Sequence, residues 1–220
     1  MTIEDPVEYR IPSINQIQIN EQAGVTFAGG LRSILRQDPD VILVGEVRDV
    51  ETARIAVQSA LTGHFVLSSL HATDAPAALH RLLDMGIENF LVASSVTAVL
   101  AQRLVRRICR HCREEYQPAA EELALLDAIQ GRRPISGFVR GAGCNFCAQT
   151  GFLERIGVYE MMIITDAVRE MIVGRASHDE FRKVARSEGM RTLQEEAARL
   201  VEDGVTTLAE VLRSIYVMGS

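Results

Sequence analysis

Residues 36–49 read RQDPDVILVGEVRD, and this stretch decides the class of fold. Its centre, Val41 to Val44, is a short apolar run, typical of a strand that is buried on both faces of a parallel sheet. Apolar residues at helical spacing predict a helix over 27–36 before it and another over 51–61 after it. Strands therefore alternate with helices of about ten residues, which predicts an α/β core with a mostly parallel sheet.

The alternation continues outward from this centre. We predict these further elements: the tail of a strand at 1–3, a strand at 65–69, and helices at 75–85 and 90–106. Beyond Arg106, cysteine pairs, glycines and prolines surround one predicted helix at 121–129, and a strand is predicted at 159–164. We therefore expect three segments: an α/β core (1–105), a cysteine-rich subdomain (106–158) and a C-terminal helical module (159–220).

The helical module contains three pairs with the spacing of N-terminal capping boxes. In such a box a Ser or Thr hydroxyl and a Glu three residues later exchange hydrogen bonds with backbone amides. The pairs are Ser177 with Glu180, Thr192 with Glu195, and Thr207 with Glu210.

Charge and hydropathy exclude several classes of protein. The 220 residues carry 29 acidic and 23 basic side chains, a formal net charge of −6, so we expect no general affinity for nucleic acid. No uncharged apolar run reaches the roughly 18 residues of a membrane span. Glu4 and Asp5 stand where a signal peptide would be basic, so we expect neither a span nor a signal peptide.

The four cysteines form two pairs, Cys109 with Cys112 and Cys144 with Cys147, each with CxxC spacing. Two such turns complete a tetrahedral set of thiolates for Zn²⁺ in a reducing cytoplasm, and a full set of four favours a structural site. The 31 residues between the pairs predict an inserted helix. Two alternatives remain open: four unpaired thiols, or His111 in place of one thiolate.

Acidic residues end two of the predicted strands. Glu46 follows the central apolar run, and Glu4, Asp5 and Glu8 lie in another strand-to-loop turn. Carboxylates in such positions hold Mg²⁺ and attacking water in proteins that hydrolyse phosphates, and paired carboxylates can divide these duties. The alternative for each is a solvated turn residue.

Histidines and arginines accompany these acids. His64 and His71 stand at the two ends of a predicted strand, where each is either a hydrogen-bonded core residue or a sensor of phosphate. Arg32, Arg36 and Arg48 are either solvated or able to neutralise phosphate charge. A basic run beside the cysteines suits a protein-docking face better than nucleic acid or anionic lipid. It comprises Arg103, Arg106, Arg107, Arg110 and Arg113.

One expected motif is absent from the sequence. A phosphate-binding P-loop needs G-x-x-x-x-G-K followed by Ser or Thr, because its lysine reaches the terminal phosphates. The only lysine, Lys183, follows Phe181-Arg182 without a glycine-rich turn.

With these motifs assembled, the chain resembles the C-terminal part of the ATPases of type II secretion and type IV pilus assembly. The segment 2–9 (TIEDPVEY) resembles the family's aspartate box, 36–49 its Walker B region, and 63–73 (GHFVLSSLHAT) its histidine box. The paired cysteines resemble its metal-binding subdomain and favour the assembly and secretion branch over the retraction motors. The resemblance implies a partial RecA-like P-loop NTPase core in segment 1–105 and a zinc-binding subdomain in segment 106–158.

The resemblance also implies roles for the candidate residues. Glu4 would be the general base, Glu46 would position Mg²⁺ and water, and His64 and His71 would sense the state of bound ATP. Asp5 and Glu8 belong to the same acidic box. Arg32, Arg36 and Arg48 match family arginines that contact phosphates or a neighbouring subunit.

The family forms hexameric rings on the cytoplasmic face of the inner membrane, where it meets platform proteins. Our leading hypothesis is a fragment of such a motor that is inactive alone because it lacks the P-loop. The alternative is a non-catalytic, zinc-containing adaptor that docks on an inner-membrane secretion partner. A nucleic-acid-binding role for the arginine run is the third hypothesis.

Overall fold

In a computed structural model, which describes residues 1–130 and 137–216, the chain divides into two compact units. The first unit comprises Met1–Ala72, Pro76–Val99 and Ile163–Ala185. The second comprises Thr73–Ala75, Leu100–Met162 and the residues from Arg186 onward. This division cuts across the three segments expected from the sequence, because residues 163–185 belong to the first unit and residues 186–216 to the second.

The first unit is built on a four-stranded sheet in which all neighbouring strands are parallel. Its strands are β1 (Thr2–Glu4), β2 (Gln16–Gln18), β3 (Val41–Val44) and β4 (Phe65–Ser68), in the spatial order β2-β1-β3-β4. The predicted α/β fold with a parallel sheet is confirmed. The sequence did not predict β2, because the strand is short and its residues are mostly polar.

Helices pack on this sheet through apolar stripes. The helices that lie wholly or mostly in this unit are α1 (Phe27–Ile34), α2 (Val50–Leu61), α3 (Ala75–Asp84), α4 (Asn89–Ser95), α6 (Asp166–Val173) and α7 (His178–Ser187). The apolar stripe of α1 buries Leu31 and Ile34, and Ile3 of the central strand β1 is fully buried as well. Asp49 caps α2 by accepting a hydrogen bond of 2.8 Å from the Thr52 amide.

The predicted helix over 90–106 is wrong beyond Ser95. Helix α4 ends there, and Ala98–Ile108 form the long strand β5, which pairs with β8 (Phe152–Ile163). The β-branched residues Val96, Thr97 and Val99 favour a strand, and from Val99 to Val105 every second residue is the less exposed one. The stretch looked helical because its pairing partner lies about 50 residues away and leaves no local signal.

The second unit encloses its own apolar core. It contains β6 (Arg113–Glu115) antiparallel to β7 (Val139–Gly141), and helices α5 (Ala120–Gln130), α8 (Leu193–Glu202) and α9 (Leu208–Val211), the last running into a π-helical turn (Leu212–Tyr216). The predicted helix between the cysteine pairs is thus confirmed. Leu126 of α5 is fully buried in this core together with Val105 and Val158. Single 3-10 turns lie at Glu21–Ala23, Leu35–Gln37 and Asn145–Cys147.

Two of the three predicted capping boxes form as expected. The carboxylate of Glu180 accepts a hydrogen bond of 2.7 Å from the Ser177 amide, and the hydroxyl of Ser177 accepts one of 3.4 Å from the Glu180 amide. Thr192 and Glu195 make the same reciprocal pair at 3.2 and 2.8 Å. These boxes satisfy amides at the starts of α7 and α8 that have no partner within the helix.

The third box forms only in half, because the Glu210 carboxylate has other partners. The Thr207 hydroxyl caps α9 as predicted, at 3.2 Å from the Glu210 amide. The carboxylate itself accepts hydrogen bonds from the guanidinium groups of Arg106 (2.9 Å) and Arg213 (3.0 Å). Burial alone would raise the pKa of Glu210, but the hydrogen bonds from the two arginines outweigh it and lower the pKa to about 2.

No helix within residues 1–130 and 137–216 is long and apolar enough to cross a lipid bilayer.

The pKa of Glu210 predicts how stability depends on pH. Because the folded pKa is lowered, the ion cluster stabilises the fold fully above pH 4.5, and this contribution is lost as the pH falls towards 2. The Glu210→Gln variant should lose this part of the acid dependence, and its urea midpoint should drop at pH 7. Urea titrations between pH 2 and pH 7 measure both effects. An unchanged acid dependence in the variant would contradict the assignment.

Candidate functional site

Three candidate residues lie where parallel strands end. Glu4 is the last residue of β1, Glu46 follows β3 by two positions, and His71 follows β4 by three. Because β1, β3 and β4 run in parallel, their carboxyl ends meet at one edge of the sheet. Ligands of open α/β sheets bind at this edge.

Gly45 allows the two acidic strand ends to approach each other. Its amide donates a hydrogen bond of 2.7 Å to the Ile3 carbonyl. A Cβ atom at this position would lie 3.1 Å from that carbonyl oxygen and 3.2 Å from the Cα atom of Glu4. The neighbouring atoms belong to the backbone and cannot rotate away, so a larger residue would push the chains that carry Glu4 and Glu46 apart.

Glu46 is the centre of a small charged cluster. Its Oε1 accepts a hydrogen bond from Arg48, and its Oε2 lies 3.5 Å from Nε2 of His71. Arg48 also contacts Asp5, at 3.2 Å. The hydrogen bond from Arg48 lowers the pKa of Glu46, and in turn the bond to Glu46 raises the pKa of Arg48. The structure thus brings together four of the predicted residues: Asp5, Glu46, Arg48 and His71.

Glu4 has a separate set of partners at the same edge. Its Oε1 accepts hydrogen bonds from the Thr2 hydroxyl and from Nε2 of Gln16, the latter at 3.1 Å. Within the described residues its Oε2 has no hydrogen-bond partner. Sequence reasoning missed Gln16 because no local pattern indicates that the short strand β2 pairs with β1.

Other candidates lie apart from this cluster. His64 precedes β4, at the opposite edge of the sheet from His71, and its Nδ1 donates a hydrogen bond of 3.0 Å to the Ser59 carbonyl. This contact supports the alternative of a hydrogen-bonded structural histidine. Arg32 pairs with Glu51, and Arg36 donates to the Arg32 carbonyl at 3.1 Å. Glu8 is exposed.

The four cysteines of the second unit form one cluster. All four Sγ atoms lie within 4.8 Å of one another. Neighbouring sulfurs are 3.9 Å (Cys109–Cys144), 3.8 Å (Cys112–Cys147) and 3.7 Å (Cys144–Cys147) apart. Four sulfurs that surround Zn²⁺ tetrahedrally at about 2.3 Å lie about 3.8 Å apart, so these thiols fit that ion without rearrangement.

Backbone amides prepare the sulfurs for a metal. Cys112 Sγ accepts a hydrogen bond of 3.3 Å from the Gly143 amide, and Cys147 Sγ accepts bonds of 3.3 Å from the amides of Cys144 and Gly151. Burial alone would raise the pKa of Cys147, but these amides lower it to about 6. Burial raises the pKa of Cys112 to about 12. One thiolate therefore forms readily and the other requires the charge of a bound cation.

His111 is not a member of this cluster. Its ring stacks on Phe146 at 4.1 Å, so the alternative in which it replaces a thiolate is not supported. The loops are held by a close backbone contact, since a Cβ atom on Gly141 would lie 2.0 Å from the Gly151 carbonyl oxygen.

The arginine run beside the cysteines is largely engaged within the second unit. Arg106 pairs with Glu210, Arg107 lies 3.6 Å from Glu154, and Arg103 donates to the Thr73 carbonyl at 3.0 Å. Sequence reasoning also missed one buried acid, Glu160 of β8, which is 1% exposed. The even spacing of residues in a strand carries no signal for a buried carboxylate.

The fold and the two sites define an α/β protein with an acidic cluster at the carboxyl edge of its sheet and a four-cysteine cluster in a second unit. The chain belongs to the family described as type II/IV secretion system protein, whose model matches residues 1–213.

Similar proteins include secretion and pilus ATPases. The chain is 48% identical over 211 residues to the type IV pilus assembly ATPase PilB of Thermus thermophilus, covering 96% of this chain and 24% of that protein. It is 50% identical over 214 residues to the type II secretion system protein HxcR of Pseudomonas aeruginosa, covering 97% of this chain and 41% of that protein. The chain therefore spans about a quarter to two fifths of the length of these relatives.

Solved structures share the fold. The crystal structure of the pilus retraction motor PilT with bound ADP superposes with a TM-score of 0.67 at 26% identity, covering 96% of this chain and 51% of that one. The ATPase DotB of Legionella pneumophila, at 21% identity, has the same fold with a TM-score of 0.65, covering 100% of this chain and 51% of that one.

The contacts of Glu46 predict a measurable change in its pKa. Replacing Arg48 with Gln removes the hydrogen bond that lowers this pKa, so the pKa of Glu46 should rise. Carboxyl-carbon NMR titration measures the change. Arg36→Gln is the matched control, because Arg36 is an arginine that does not contact Glu46. Equal shifts in both variants would show that the local hydrogen bond is not the cause.

Proposed function

We propose that this chain forms the hydrolytic part of a motor ATPase that drives type II secretion or type IV pilus assembly. The observation that carries the proposal is the cluster of Glu46, Arg48, Asp5 and His71 beside Glu4, at the ligand-binding edge of a parallel sheet. Membership of the secretion family and the ATPase names of its relatives support the same function.

In this proposal Glu4 is the general base. Two neutral donors hold its Oε1, so the carboxylate is fixed in orientation while Oε2 faces no protein donor within the described residues. A carboxylate so placed takes a proton from water that attacks the terminal phosphate. Asp5 and Glu8, from the same acidic segment, would help to bind the cofactor.

Glu46 positions Mg²⁺ and the attacking water in this proposal. Mg²⁺, when bound, would neutralise phosphate charge. In the structure both carboxylate oxygens of Glu46 are already engaged, by Arg48 and His71. We therefore propose that Arg48 moves from Glu46 to the phosphates when nucleotide arrives, and that His71, which loses or keeps its contact with Glu46, senses that change. Arg48 is 55% exposed, so little packing opposes the movement.

Arg32, Arg36 and His64 have more remote roles. The two arginines of the α1 region would contact phosphates or a neighbouring subunit of a hexamer, and exchange of their present partners is inexpensive because exposed ion pairs contribute little. His64 stays a predicted nucleotide sensor, although its bond to Ser59 favours a structural role.

The location of the motor is part of the proposal. We propose that the longer protein assembles as a hexamer on the cytoplasmic face of the inner membrane and binds platform proteins there, without nucleic acid. The support is the naming of the relatives as secretion and pilus assembly proteins.

The cysteine cluster holds structural Zn²⁺ in this proposal. Four thiolates fill a tetrahedral ion completely and leave no position for a substrate. A structural zinc of this kind contributes on the order of 10 kcal/mol to folding.

Zinc removal should therefore unfold part of the second unit. We expect one zinc per chain by elemental analysis, and loss of near-UV circular dichroism from this unit when a strong chelator removes it. Cys112→Ser should bind zinc at least about tenfold more weakly, whereas His111→Ala should keep it. A chain that purifies without zinc and is unaffected by chelator would sink the structural role.

The chain alone should not hydrolyse ATP, because it contains no lysine-bearing phosphate loop. In a longer polypeptide that carries this sequence, Glu4→Gln and Glu46→Gln should each lower ATP turnover by about 10²-fold or more. Phosphate release measures turnover, and Glu8→Gln is the milder comparison. Secretion or piliation that survives both changes would favour the adaptor hypothesis instead. Rapid turnover by the purified 220-residue chain would contradict the proposed inactivity.

A further inference from the structure

Glu160 is a buried carboxylate that the proposed function does not use. It lies in β8, in the second unit, and only 1% of its surface is exposed. Its Oε1 accepts a hydrogen bond of 2.9 Å from the Ala75 amide, and its Oε2 accepts one of 3.1 Å from the Leu193 amide. Burying a carboxylate is costly unless both oxygens find donors, so this geometry is maintained by the fold.

Both donors stand at the start of a helix. Ala75 is the first residue of α3 and Leu193 is the first residue of α8. The first amides of a helix lack partners within it, and they carry the positive end of its dipole. One carboxylate therefore satisfies two helix starts that are more than 100 residues apart in the sequence.

The segment Thr73–Ala75 is held by the second unit on both sides of Asp74. The Thr73 carbonyl accepts a hydrogen bond of 3.0 Å from Arg103 of β5, and the Ala75 amide donates to Glu160 of β8. The residues before and after this segment belong to the first unit. It is thus a short piece of chain that side chains of the second unit fix in place.

His71 lies only two residues before this fixed segment. Two residues span at most about 7 Å of extended chain, so the position of Thr73 limits where the imidazole can lie. The imidazole is 86% exposed and its one ion-pair contact, with Glu46, is long at 3.5 Å. Its own packing therefore does little to hold it against Glu46.

We propose that Glu160 is a positioning residue for His71, through its grip on the Thr73–Ala75 segment. The proposal rests on the proposed function of His71 as the sensor beside Glu46. Since the same carboxylate holds the start of α8, a displacement of the segment when nucleotide binds also disturbs a helix of the second unit. Glu160 then links the nucleotide site to the unit that carries the cysteines.

Amide hydrogen exchange of the 220-residue chain, bound to zinc, tests the anchoring. In Glu160→Gln the amide group of Gln can accept only one of the two bonds, so the amides of Ala75 and Leu193 together should lose protection, at least one of them by about tenfold. The Glu210→Gln variant is the matched control, because it also removes a buried carboxylate of the second unit. Unchanged exchange at both amides in Glu160→Gln would overturn the proposal.

The imidazole signal of His71 tests the positioning. We expect the Cε1–Hε1 peak, assigned by its loss in His71→Asn, to move in Glu160→Gln and to keep its position in Glu210→Gln. Equal movement in both variants would mean general loosening, and an unmoved peak would mean that Glu160 does not act on His71. Either result overturns the proposal.

A milder variant covers the case in which Glu160→Gln does not fold. Arg103→Gln removes the hydrogen bond to the Thr73 carbonyl and should also move the His71 peak, whereas an unmoved peak counts against the proposal. Failure of the proposed function itself would appear as full activity of a longer protein with Glu46→Gln. That result leaves the exchange and peak measurements as they are, so the two failures are distinguishable.

Discussion

Parallel hydrogen bonding between β1, β3 and β4 is the constraint on which the candidate active site depends. It aligns Ile3 with Val44 and Val44 with Ser68, so the residues that follow these positions emerge at one edge. Glu4, Glu46 and His71 come from three distant parts of the sequence, and only this register makes them neighbours. Gly45 permits the close approach, because its hydrogen replaces a side chain that would meet the backbone of β1.

The carboxylates of this protein are balanced in three different ways, and the differences follow their roles. Glu46 is paired with the mobile side chains of Arg48 and His71, which suits a group that must change partners. Glu210 is buried between two arginines and fixes the end of the second unit. Glu160 has no cationic partner among the bonds of its carboxylate and is held by two backbone amides. Backbone donors cannot rotate away, so they suit a residue that fixes position.

The cysteine cluster follows the same logic of preparation by the backbone. Amides of residues 143, 144 and 151 point at the sulfurs, and the contact between Gly141 and Gly151 brings the second loop against the first. The sulfur spacing of 3.7–3.9 Å is set before any ion is bound. Little reorganisation then opposes metal binding, which is a condition for high affinity.

The sequence by itself determined the local features: the apolar strand 41–44, the helix between the cysteine pairs, the capping pairs at Thr192 and Ser177, and the tetracysteine set. Each of these is encoded within a few residues, by spacing or by the chemistry of one turn. Only the tertiary structure decided that 98–108 is a strand, that Glu210 leaves its capping box for Arg106, and that Gln16 and Glu160 contact Glu4 and Ala75. In each of those cases the deciding partner is distant in the sequence, and a hydrogen bond between distant residues leaves no periodic pattern in either one.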